Sequence, residues 1–125
     1  MTMSGSAATE SKAAVSEKAI ERLAGIYQFD NADEVAAYLR AYPFLVDLLV
    51  EAREKIGEHF GRETPVVLEV FTFQDADDDQ ELFALVQTSL SPNEAAACLD
   101  RLDRDWWLAA SPRAQCQMNV SVDFV

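Results

Sequence analysis

Apolar residues recur at helical spacing through the first half of the chain and switch to strand spacing after Pro65. Ile20, Leu23, Ala24 and Tyr27 fall on one face of a helix predicted over 11–27, a modest and peripheral stripe. Asn31 with Glu34 three residues on reads as a capping box opening a short helix through Val35, Tyr38 and Leu39. Pro43 interrupts that pattern. Its fixed φ suits the first turn of a new helix, so the chain is expected to bend near Ala41-Tyr42 and restart. Leu45, Leu48, Leu49, Ala52, Ile56 and Phe60 then define the clearest helix, which stops at Gly61. Asp47, Glu51, Glu54, Lys55 and Glu58 take its solvated faces, and His59 sits beside the stripe as a helix-edge residue rather than a catalytic one.

Beyond Pro65 two β-rich runs, Val66 to Phe73 and Leu82 to Thr88, flank the polar stretch 74–81, predicting an antiparallel hairpin with an acidic loop. Ser91-Pro92-Asn93-Glu94 announces a helix with a cap, a closing glutamate and a proline at its first position. Ala95, Cys98, Leu99, Leu102 and Trp106 continue one face of it, unless Asp105 caps a separate short helix after a break near Asp103. Cys116, Met118, Val120, Val122 and Phe124 alternate with polar residues, the mark of a strand with one buried and one wet face. The expected fold is α+β: N-terminal helices, then a β-β-α-β unit whose three-stranded antiparallel sheet carries helices on one face. Residues 1–10 are expected to be disordered, and 11–125 to form one domain, helical over 11–62 and β-β-α-β over 66–125.

Composition narrows the function. No run of about 20 apolar residues exists to span a membrane, and no basic start followed by an apolar block suggests secretion, so a cytoplasmic location is expected. Of the 22 acids, 11 lie in residues 1–65 against 7 bases, whereas residues 66–105 hold 10 acids and only 2 bases. That field disfavours direct contact with nucleic acid or an anionic membrane and favours a partner with a basic surface. Cys98 and Cys116 both fall at apolar positions, predicting buried thiols rather than a disulfide. With His59 the sole histidine and no Cys-x-x-Cys spacing, zinc has no ligand set.

Candidate chemistry is sparse. Asp75, Asp77 and Asp79 repeat at every second position, as calcium loops begin, but Gln80 stands where an EF-hand needs glycine and Val86 where its bidentate acid should fall. They are weak metal candidates, and a solvated hairpin loop is the simpler reading. Gly5, Gly25, Gly57 and Gly61 form no phosphate loop, and neither cysteine has a basic neighbour to activate it. No catalytic residue and no cofactor is therefore assigned.

The adjacent Trp106 and Trp107 are the most distinctive feature. Neighbouring helical residues point about 100° apart, so one core stripe does not comfortably hold both indoles. Trp106 continues the stripe. Trp107 and Leu108, with Arg104 and Arg113 as nearby cations, are the predicted partner-binding residues if Trp107 is exposed.

Several stretches resemble a group of small uncharacterised bacterial proteins: Phe29-Asp30-Asn31 with Glu34-Val35, Tyr42-Pro43-Phe44-Leu45 through Leu48-Leu49, Glu51-Ala52 with Lys55-Ile56, Leu68-Glu69-Val70, Asp105-Trp106-Trp107-Leu108 and Arg113-Ala114-Gln115. The resemblance covers most of residues 29–125. It implies no activity and no catalytic residues, and leans toward an interaction role beside a partner gene. The leading expectation is a non-enzymatic acidic protein-interaction module, in its specific form the neutralising, antitoxin-like or immunity-like member of a two-gene pair. The alternatives are a divalent-metal-binding or regulatory domain built on the acidic loop, and a DNA-mimic inhibitor.

Overall fold

The computed structural model describes residues 17–73 and 79–125. The expected disorder of residues 1–10 lies outside them. The first helix, α1, is helical over 17–26 and buries Ile20 and Leu23, with Tyr27 just beyond, while Ala24 faces solvent. The Tyr27 hydroxyl donates to the Leu49 carbonyl at 2.8 Å, and burial raises its pKa above the ordinary tyrosine range. The expected peripheral helix is thus rooted in the core.

Strand β1 (Gln28–Phe29) leads into α2 (Ala32–Ala41), whose N-cap Asn31 accepts the Glu34 N–H. After the turn at Pro43 comes α3 (Leu45–Phe60), with Leu45, Leu48, Leu49, Ala52 and Ile56 buried along one stripe. Gly61 ends it at φ 103°, a backbone region that favours glycine. Strands β2 (Val66–Phe73) and β3 (Asp79–Thr88) form the hairpin, so β3 begins inside the stretch expected to be loop. Helix α4 (Pro92–Leu102) starts at the expected full capping box of Ser91 and Glu94. A π turn (Asp103–Trp107), the short helix α5 (Leu108–Ala110) and a 3₁₀ turn (Ser111–Ala114) lead to β4 (Met118–Phe124).

The α+β class holds, but the sheet differs from expectation. It has four strands in the order β1-β2-β3-β4 and is mixed: only β2–β3 is antiparallel, while β1–β2 and β3–β4 are parallel. The reason lies in the connection. α4 and the turns after it return the chain to the end from which β3 set out, so β4 must run alongside β3 in the same direction. Two residues of β1 are too short to leave a periodic signal.

The pleat sorts the sheet into two unlike faces. Val66, Leu68 and Val70 of β2, Leu82, Ala84 and Val86 of β3, and Met118 and Val120 of β4 are buried in one continuous core with the helices. The buried stripes of α2 and α3 belong to this same core. The residues between them, on the other face, are all half-buried or exposed.

Candidate functional site

The π turn answers the tryptophan question. In a regular α-helix Trp107 would point roughly 140° away from Leu102. Here the Leu108 N–H bonds to the Asp103 carbonyl, five residues back, and the wider turn carries Trp107 round toward the core. Both indoles are buried, each only 8% exposed, with ring centroids 5.4 Å apart and planes inclined at 40°. The helix widens where a break was the alternative, and Asp105 caps nothing. It lies instead 3.3 Å from His59.

Trp107 is therefore not the exposed anchor that its position suggested. Its neighbours are already engaged. Arg104 pairs with Asp100 at 2.8 Å, and Arg113 pairs with Glu51 at 2.9 Å. Glu51 also accepts the Trp106 indole N–H at 2.6 Å. These two bonds to its charged form hold the Glu51 carboxyl below the usual carboxylate range. Of the four expected partner-binding residues, only Leu108 offers a free apolar side chain, 66% exposed. The constellation is a latch between α3 and the π turn.

The acidic loop yields little. Asp75 and Asp77 lie outside the described residues. Asp79 is the first residue of β3, exposed and paired in register with Phe73. Among the described residues no three His, Cys, Asp or Glu side chains gather as a metal site. The cysteines are both free; Cys98 is buried as expected, but Cys116 is exposed. Gln115 and Cys116 take positive φ values after the 3₁₀ turn, so the strand begins two residues later than its alternation suggests.

The open face of the sheet is the surface that sequence reasoning missed. Register places Val67 beside Leu85, Glu69 beside Phe83, Phe71 beside Glu81 and Phe73 beside Asp79. Phe71 and Phe73 are 37% and 42% exposed, and the Phe71 and Phe83 rings meet edge-on at 4.9 Å. β4 adds Asn119, Ser121 and Asp123 along one side, with Gln87 donating to Asp123 at 3.0 Å. The face thus interleaves apolar side chains with Glu69 and Glu81 on β2–β3, beside a polar side from β4. None of the four strands contains a lysine or arginine. Partial burial raises the Glu69 pKa, and the nearby charges of Asp30, Asp123 and Glu34 raise it further. Partial burial likewise raises that of Glu81.

The signal was present in the sequence. Val66 to Phe73 and Leu82 to Val86 are apolar on nearly every position, as strands covered on both faces are, whereas β4 alternates cleanly. Among the described residues only one face is covered by helices.

Compared with protein families, with curated proteins and with solved structures, the chain finds no match. Among the described residues no helix is long and apolar enough to cross a membrane.

Proposed function

We propose that this chain is a non-enzymatic protein-interaction module whose binding surface is the open face of its sheet. The observation that carries the reading is the strip of Val67, Phe71, Phe73, Phe83 and Leu85, which no described helix covers, with Glu69 and Glu81 set within it and no strand lysine or arginine. Apolar area left in water at the centre of a layer gains free energy when covered, and the carboxylates of Glu69 and Glu81 steer a basic partner toward it. A partner with a basic surface encoded beside this chain would make it the neutralising member of a two-gene pair.

A phenylalanine-centred face supports protein binding over DNA mimicry, because imitation of phosphate spacing needs a continuous array of carboxylates rather than aromatic rings. The test is recovery of the tagged full-length chain from its own cells at low salt, as wild type and as Phe71→Asp. The expected result is a stoichiometric protein partner on the wild type and its loss from the variant. Recovery of the wild type as a free monomer counts against the reading.

A further inference from the structure

We propose that the open sheet face docks a basic amphipathic helix of a partner protein, with its apolar side on Phe71, Phe83, Val67 and Leu85 and a lysine or arginine against Glu69. This deepens the interaction reading above and rests on it.

The face itself restricts the occupant. The backbone donors and acceptors of a strand lie in the plane of the sheet, so the face offers side chains only. An extended peptide laid there would leave its own amides without partners, at a cost of about 1–3 kcal/mol for each group buried. A helix arrives with its backbone already satisfied and covers a sheet with one apolar stripe, as α2 and α3 do on the opposite face. The occupant supplies the third layer that the composition of β2 and β3 anticipates.

Charge settles which helix. Glu69 stands beside Phe83 on the neighbouring strand, with Glu81 on the same face, Asp123 across the sheet, and Asp30 and Glu34 within its field. No strand residue supplies a cation. Covering the face with an acidic or neutral helix strands Glu69 without a counter-charge, an arrangement that is strongly destabilising. A second copy of this chain stacked face to face brings together two faces that each carry Glu69, Glu81 and Asp123 and no strand cation, which like-charge repulsion opposes. A cation at Glu69 lies against the carboxylate and within reach of the Phe83 and Phe71 rings, whose faces attract it too.

The test titrates the isotope-labelled full-length chain with three synthetic peptides: a 14-residue leucine/lysine amphipathic helix, its leucine/glutamate counterpart, and a lysine homopeptide. The leucine/lysine helix is expected to move the amide signals of Val67 to Phe71 and Phe83 to Leu85. Glu69→Lys and Phe71→Ser should each weaken it by about tenfold or more, and the other two peptides should bind at least about tenfold more weakly than it does.

Equal binding of the leucine/glutamate helix overturns the charge requirement, and equal binding of the homopeptide overturns the helix. Shifts confined to other surfaces, or insensitivity to both variants, overturn the site. Concentration-dependent dimerisation through these residues identifies a second copy as occupant and overturns the proposal. If the peptides fail while Phe71→Asp still abolishes capture of a native partner, the interaction face stands and the basic helix falls.

Discussion

The Trp106 indole N–H donates to the Glu51 carboxylate at 2.6 Å, joining the π turn to the middle of α3. Arg113 holds the second oxygen of the same carboxylate at 2.9 Å. One half-exposed glutamate thus satisfies a buried indole and closes the end of the helical layer. Glu51→Ala leaves the indole N–H without its acceptor and is expected to cost about 1–2 kcal/mol. Urea denaturation followed by tryptophan fluorescence measures it, and a change within error shows that water replaces the carboxylate without loss.

The pH dependence of that latch has a definite sign. The folded-state pKa of Glu51 lies below its ordinary value of 4.5, first because Trp106 and then because Arg113 bonds the charged form. Its contribution is therefore complete above about pH 4.5 and lost as the pH falls through the lower folded value. Glu69 has the opposite sign, its folded pKa lying above 4.5, so stability tied to it is gained as the pH falls through that higher value. Glu69→Gln should remove this cost at pH 7, raising stability by up to about 0.5 kcal/mol, while Glu51→Gln should flatten the acid limb. Unfolding measured from pH 3 to pH 7 in both variants checks the two signs separately.

Deleting Arg104 should return the π turn to α-helical geometry. Arg104 is an exposed residue whose one ion pair, to Asp100, is worth little in solvent. The register beyond the turn is kept, and Trp106 and Trp107 then follow Leu102 by three and four residues, about 60° and 40° to either side of it, so both indoles still face the core. The expected outcome is an unshifted tryptophan emission and a stability change of less than about 1 kcal/mol. A red-shifted emission would mean that burial of both rings needs the wider turn.

The two faces of β2 should respond differently to truncation. Leu68, fully buried beneath the helices, is expected to lose about 2–5 kcal/mol as Leu68→Ala. Phe71→Ser, three residues along on the open face, should lose less than about 1 kcal/mol. Comparable losses at both positions would mean that something covers the open face in the free chain.

Only one of the two thiols should react quickly with an aromatic disulfide reagent. Cys116 is exposed on the turn before β4, and Cys98 is buried on α4. Two fast thiols would place Cys98 at the surface.

Much of this fold was legible in the sequence, for reasons that also explain what was not. α3 shows its stripe because it buries one face only, and α4 shows its start because Ser91, Pro92 and Glu94 each satisfy a different terminal requirement. The direction of β4 follows from the helix before it, a connection rule rather than a pattern within the strand. The π turn inserts a single residue and leaves no periodicity of its own. Its one trace is the adjacent pair Trp106-Trp107, which read as a ring left outside when the backbone had instead widened to admit both. The open sheet face was legible in composition, since β2 and β3 are apolar on both sides, but which side the helices leave bare is a tertiary fact.

The central claim is that the binding surface lies on the open sheet face and not at the tryptophan latch. Parallel recovery of Phe71→Asp and Leu108→Asp from native cells, both confirmed as folded, separates the two most directly. The account predicts that Phe71→Asp loses the stoichiometric partner and Leu108→Asp retains it. Loss from Leu108→Asp with retention by Phe71→Asp would contradict it.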